Sequence, residues 1–223
     1  MANSIKNALI IGATGLVGRA LVKQLNFDAN YDNITLIVRH EDAEFSRYPK
    51  VQQMQLDDFL MLGDQDVNGF SHVFSCLGST IKKAGSKENF WNIDYEINAH
   101  LADLLETTEA HFLLVSAMGA NAHSKIFYNN VKGQLEDYIQ QLDLEKVSII
   151  RPSLLLGERN EKRTLENATQ NLYKKFAHLV PSSFKYKPVT AEQVAHTMVE
   201  AARTQTEKFK IYDNLSILKN SDS

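Results

Sequence analysis

A single cysteine, Cys76, stands in 223 residues, so no internal disulfide can form and a reducing compartment is expected. No apolar run approaches the ~20 residues of a membrane-spanning helix. Residues 1–7 are polar and are followed by no apolar leader of the secretory kind. A cytoplasmic protein without a membrane partner is the expectation. There is no dense Lys/Arg block: 24 basic and 27 acidic side chains leave a formal net charge of -3, which offers nucleic acid no basic surface. The seven histidines show neither HxxxH nor HxH spacing, so no metal site is expected. Internal repeats, low-complexity segments and linkers are also lacking.

What is present is an ordinary globular mixture, 43% apolar and 23% charged, of a length that fills one core. Residues 8–11, 34–38, 51–56, 72–76, 111–116 and 147–150 read as strands. Residues 16–25, 90–107 and 129–142 read as helices between them. The strand runs are nearly continuous in apolar residues, as a parallel sheet covered on both faces requires. An α/β, Rossmann-type, doubly wound parallel sheet is predicted. After Arg151 and Pro152 the pattern loosens. Residues 158–164 and 181–188 read as loops, 165–178 as a helix, and 190–203 as an amphipathic helix. Thr190 and Gln193 are spaced as a capping box at its start, and the chain past Asn214 is expected to fray. Residues 1–223 are thus expected to form one dinucleotide-binding domain, with 152–223 as a small C-terminal lobe on the substrate side.

The strongest local motif is Gly12-Ala13-Thr14-Gly15-Leu16-Val17-Gly18, directly after a strand and opening a helix. Such a turn uses one glycine for the tight bend, one where backbone nears a pyrophosphate, and one where helix meets strand. The free N–H groups and dipole of the helix start, at Thr14, Leu16 and Val17, then hold phosphate. The alternative is a glycine-bearing turn with no ligand. NAD binders carry an acid at the end of the second strand; here Arg39 stands there, and a guanidinium suits a 2′-phosphate. NADP(H) is therefore favoured over NAD(H), against the alternative of a solvated arginine. Asp57 and Asp58, after the third strand, suit either an adenine contact or an ordinary loop.

Ser116 ends the fifth strand, and Tyr128 and Lys132 follow in a YxxxK spacing. On a helix, positions i and i+4 share a face, so phenol and ammonium can act on one ligand. A tyrosine with an ordinary pKa of about 10 is a poor acid–base group at neutral pH, and a nearby ammonium favours its phenolate. Ser116 would polarise the substrate oxygen, Tyr128 exchange the proton, and Lys132 hold the nicotinamide ribose. A chance Tyr–Lys spacing is the alternative. Cys76, in a strand, reads as a small core residue.

The order GATGLVG, strand-end serine and YxxxK resembles the short-chain dehydrogenase/reductase superfamily in its atypical and extended branch. Cys76-Leu77-Gly78-Ser79, Lys83-Ala84-Gly85, residues 116–119, Val131-Lys132-Gly133 and Arg151-Pro152 are similar to the oxidoreductases named for a Tat-interacting protein and their bacterial relatives. The resemblance runs over at least residues 8–163. It implies a Rossmann fold, NADPH binding and a Ser–Tyr–Lys site. It assigns Gly12, Gly15 and Gly18 to phosphates, Arg39 to the 2′-phosphate, and Ser116, Tyr128 and Lys132 to the active site. Leu77, Gly78, Ser79 and the segment from Pro152 fall on the nicotinamide side. The NNAG motif of the superfamily's ordinary branch is absent after the fourth strand, with Leu77-Gly78 in its place. The superfamily includes both monomers and dimers. Two functions follow: an oxidoreductase acting on a small carbonyl or alcohol, or an NADPH-binding sensor or interaction protein without turnover.

Overall fold

The computed structural model describes residues 6–156 and 185–220. The expected loop at 158–164 and helix at 165–178, and part of the loop at 181–188, lie outside the described residues. In chain order the elements are β1 (Lys6–Ile11), α1 (Leu16–Phe27), β2 (Tyr31–Val38), β3 (Val51–Gln55), α2 (Asp64–Val67), β4 (His72–Ser75), α3 (Ile81–Ala84), α4 (Lys87–Trp91), α5 (Ile97–Leu105), β5 (His111–Val115), α6 (Phe127–Gln141), β6 (Lys146–Ile150), β7 (Leu155–Leu156), β8 (Val189–Thr190), α7 (Ala191–Thr204), β9 (Phe209–Tyr212) and α8 (Asn214–Asn220).

Seven strands form one parallel sheet in the order β3-β2-β1-β4-β5-β6-β9, and β7 and β8 pair separately. The fold is the Rossmann-type α/β arrangement that the apolar runs predict. Successive residues of β1 face opposite layers, and both layers are buried. Ala8 and Ile10 pack with Leu21, Leu25, Val194 and Met198 on the face of α1 and α7. Leu9 and Ile11 pack with Leu101, Ala102, Leu135 and Ile139 on the face of α5 and α6. Each fully buried Leu or Ile contributes about 1.5–3 kcal/mol, so the central strand is held from both sides.

Register decides where a site can lie. Ile11, the last residue of β1, pairs with Ile37 of β2 and Ser75 of β4. The chain leaves β1 toward one neighbour and returns on the other, so a crevice opens beyond the carboxyl ends of these strands. Gly12, Arg39 and Cys76 all follow at that edge.

Three elements differ from the sequence expectation. The helix read over 90–107 is broken in its ladder by a π turn at Asn92–Glu96, between α4 and α5. The C-terminal stretch does more than form a lobe: β9 pairs with β6 and extends the main sheet. The tail past Asn214 is the helix α8, fixed because Ile217 and Leu218 are buried in the core. The capping box on α7 is present, with Thr190 accepting from the Gln193 N–H and Gln193 accepting from the Thr190 N–H.

Candidate functional site

The glycine turn is built by two steric demands. Gly12 has φ +74, and a Cβ there would lie 2.5 Å from the backbone carbon of Cys76. A Cβ on Gly18 would lie 2.3 Å from the Gly12 oxygen. Gly15 is different: its nearest neighbour would be the Gly12 oxygen at 3.3 Å, so little in the protein itself requires glycine there. Gly15 caps α1 with no side-chain hydrogen bond, which leaves first-turn N–H groups without an intrahelical partner. Thr14 and Gly15 are exposed, Leu16 is half-buried, and Val17 and Gly18 are buried. A turn of this shape can hold a phosphate, with its lip open at Gly15.

Beyond β2, Arg39 is exposed and makes no hydrogen bond or ion pair among the described residues. Of the three acids that follow, Arg19 bridges Asp42 and Glu44 while its Nε donates to the Thr14 carbonyl, and Glu41 is exposed. Asp57 is exposed beyond β3, next to this edge, since the Leu56 N–H bonds the Val38 carbonyl. Asp58 instead caps a short 3₁₀ turn through the Leu60 N–H, a structural duty.

The loop after β4 lies against the glycine turn through Cys76 and Leu77. Ser75 Oγ donates to Asn98 and accepts from the Leu77 N–H at 3.4 Å. Beneath this loop sits the π turn. Asp94 accepts the Ser79 N–H on Oδ2 at 2.8 Å, and its Oδ1 lies 2.7 Å from Nζ of Lys132. The pair is sealed, with Lys132 3% and Asp94 0% exposed. Burial opposes the charge on Lys132, but the charges of Asp94, Tyr128 and Glu136 outweigh it and hold the ammonium above its ordinary value. Burial raises the Asp94 carboxyl, against the pull of Lys132 and the Ser79 N–H. A Cβ on Gly78 would stand 3.2 Å from Asp94 Oδ1 and 3.4 Å from Lys132 Nζ, so the backbone passes close over the pair.

Tyr128 and Lys132 lie a turn apart on α6, and the Tyr128 ring is 5.5 Å from that of Phe90. Ser116 is buried and its hydroxyl donates to Glu136, a turn beyond Lys132; it makes no hydrogen bond to Tyr128. Arg151, at the end of β6, grips the same carboxylate through Nε and Nη2. Pro152 is buried, and its carbonyl accepts the Met118 N–H at 2.9 Å, joining the chain after β6 to the chain after Ser116. The structure thus brings Gly12, Leu77, Gly78, Ser79, Lys132 and Ser116 to one edge of the sheet. Cys76 is a core residue, its Sγ 3.9 Å from Met198 Sδ and its thiol pushed up to about 12 by burial.

Asp94, Asn98 and Glu136 were not singled out in the sequence. Glu136 had a signal, because Tyr128, Lys132 and Glu136 fall at i, i+4 and i+8 of one helix. Asp94 had none, since its burial depends on a π turn that no periodicity announces. A second hollow of about 1080 Å³ lies at the opposite end of the sheet, lined by Lys6, His72, His111 and Lys146 among others, and includes none of these site residues.

Residues 12–205 match the NAD(P)H-binding family. A protein of Scheffersomyces stipitis named Protein FMP52-1, mitochondrial, is 33% identical over 204 residues, covering 91% of this chain and 90% of that one. Protein FMP52, mitochondrial, of Candida albicans is 33% identical over 202 residues, covering 88% of each. The expectation of a cytoplasmic protein is not upheld, because these relatives are named as mitochondrial. That expectation rested on the lack of a secretory leader, which is silent on mitochondrial import signals, amphipathic and basic in character. Among solved structures, UDP-glucuronic acid 4-epimerase from Bacillus cereus with NAD superposes with a TM-score of 0.68 at 13% identity, covering 93% of this chain and 78% of that one. The Bordetella bronchiseptica enzyme WbmF with NADH gives a TM-score of 0.65 at 16% identity, covering 100% and 78%. These two likenesses show the fold alone. The chain belongs to the NAD(P)H-binding family, consistent with the atypical branch of the short-chain dehydrogenase/reductase superfamily that its motifs resemble.

Proposed function

We propose that the protein is an NADP(H)-dependent oxidoreductase acting on a small carbonyl or alcohol. The carrying observation is the seat of Lys132, a turn from Tyr128 and directly beneath the Gly78 backbone that adjoins the glycine turn. The glycine cradle fits a pyrophosphate, since the one position open to a side chain, Gly15, is also the one at the open lip. Gly12, Gly15 and Gly18, with the N–H groups from Thr14 to Val17, would hold the phosphates, Arg39 the 2′-phosphate, and Asp57 the adenine side. Leu77, Gly78, Ser79 and Pro152 would border the nicotinamide. When bound, the dinucleotide supplies or accepts the hydride.

This chain's residues supply the proton and the geometry. Tyr128 Oη gives a proton to a carbonyl oxygen, or takes one from an alcohol. Lys132 keeps a positive charge next to that phenol and hydrogen-bonds the ribose. Ser116 lies near the reacting oxygen but donates to the acceptor-only carboxylate of Glu136, so what it offers a substrate is a lone pair. Tyr128→Phe keeps the ring and removes the hydroxyl. It should leave NADPH affinity within a few-fold and cut turnover on any converted carbonyl by about 10²–10⁴. A carbonyl panel with NADPH tests this; full turnover by the variant would overturn the assignment.

The second reading, a cofactor binder without turnover, is favoured by the same polar contacts. Ser116 is engaged by Glu136 and Lys132 by Asp94, so carboxylates already occupy two of the three groups. NADPH binding without conversion of any carbonyl or alcohol would decide for it.

A further inference from the structure

Three features converge on Asp94. It is fully buried, and its Oδ1 faces Lys132 Nζ at 2.7 Å without a hydrogen bond aligned to it. Its Oδ2 accepts the Ser79 N–H, so one carboxylate binds the loop after β4 to the helix that carries Tyr128. It stands in a π turn whose carbonyls at Ile93 and Asp94 accept from the Asn98 side chain. A π turn widens the ladder and often marks a functional position, because it re-aims a side chain that a regular helix would direct elsewhere. Here the side chain is aimed at a lysine that burial alone would discharge.

We infer that Asp94 is a positioning residue for the nicotinamide half of the cofactor, acting through Lys132. The inference rests on the reading that Lys132 meets the nicotinamide ribose. Asp94 fixes the lysine beneath Gly78, keeps it charged, and holds the Ser79 backbone at the same height. The groups facing Lys132 are Tyr128 and Glu136 from α6, Asp94 from the π turn and the Gly78–Ser79 backbone above. Arg151 and Ser116 already engage Glu136, so among the described residues Asp94 is the carboxylate left to balance the lysine.

Asp94→Asn isolates the charge, because asparagine can still accept the Ser79 N–H. NADPH is titrated by its fluorescence, and its adenosine half, 2′,5′-ADP, by displacement. The variant should bind NADPH about ten-fold more weakly and 2′,5′-ADP as the parent does. In a Lys132→Met background, Asp94→Asn should bring no further loss, since the effect passes through the lysine. Weakening of both ligands would mean a merely structural residue and overturn the inference. So would a loss on Lys132→Met with none on Asp94→Asn. An unchanged NADPH affinity in Lys132→Met would instead remove the reading of Lys132 itself, and the inference with it. The parent protein gives a check free of any variant. Between about pH 7.5 and about pH 9.5 its NADPH affinity should stay level, because Asp94 holds the lysine charged above that window. Affinity falling with pH in the parent over this window would equally overturn it, whereas Asp94→Asn should acquire such a fall.

Discussion

Glycine at position 15 and glycine at 12 or 18 are present for different reasons. The protein's own backbone forbids a side chain at Gly12 and Gly18, with contacts of 2.5 and 2.3 Å, whereas Gly15 meets only one atom, at 3.3 Å. Gly15→Val should therefore fold, with a thermal midpoint near that of the parent, and lose NAD(P)H binding because the side chain fills the lip of the phosphate cradle. A titration showing parental affinity would make the whole turn structural. In the proposed function Arg39 carries the cofactor choice. Asp42 and Glu44 are both engaged by Arg19, and Arg39 itself stands directly after β2, where NAD binders carry an acid. The protein should bind NADPH more tightly than NADH. Losing a charge-assisted pair costs about 1.5–3 kcal/mol, so Arg39→Ala should shrink that preference by about ten-fold or more. Equal parental affinities for the two cofactors would refute the assignment.

At the scale of elements, α6 is set by what it lacks. A Cβ on Gly133 would lie 2.1 Å from the backbone nitrogen of Ala122, in the loop that follows Ser116. This contact presses the helix that carries Tyr128 and Lys132 against the end of β5. Gly→Ala inside a helix ordinarily stabilises by about 1 kcal/mol. Gly133→Ala should do the reverse, costing about 1–3 kcal/mol by overpacking and weakening NAD(P)H binding as the helix moves off. Urea unfolding checks the sign, and a stabilised variant would exclude the close approach. Such contacts explain what the sequence could disclose. The strands β1, β2, β4, β5 and β6 were legible because burial on both faces writes itself as apolar runs, β3, a half-exposed VQQMQ, showed less of that signal, and α7 was legible because Thr190 and Gln193 cap it locally. The turn around Gly12 was legible because its demand is local. β9 was not, since Phe209–Tyr212 is a short mixed run whose partner, β6, lies far back in the chain. α8 looked like a frayed tail because its anchors, Ile217 and Leu218, are sparse among polar residues. In the site, Ser116 and Lys132 were picked out by a short motif. Their carboxylate partners were not, because a buried charge is recognisable only with its counter-charge in view.

Across the whole molecule, the candidate site and a buried histidine pair lie at opposite ends of the sheet. The site residues follow the carboxyl ends of the strands. At the other end, His72 and His111 begin adjacent strands as a registered pair, their rings 5.9 Å apart. The Tyr31 hydroxyl is 2.9 Å from His72 Nδ1, and Ser148 Oγ is 2.8 Å from His111 Nε2. Both are buried, at 8% and 5% exposure, too dry to accept a proton readily. Burial, aided by nearby positive charge, lowers His72 to about 4 and His111 to about 3. The unfolded chain titrates at about 6.5, so below that pH it takes up protons that the folded protein refuses. Stability from these groups is complete above about pH 6.5 and is lost as pH falls toward the folded values. At pH 5, about 1.5 below the unfolded value, keeping each histidine neutral costs about 2 kcal/mol at about 1.4 kcal/mol for each pH unit. The urea midpoint should therefore drop clearly between pH 7.5 and pH 5, a window above most carboxylate titrations. A His72→Gln/His111→Gln double variant should be less stable at pH 7.5, from lost packing, yet change far less with pH. A parent midpoint that is level over the same range would show that these histidines are not held neutral by the fold.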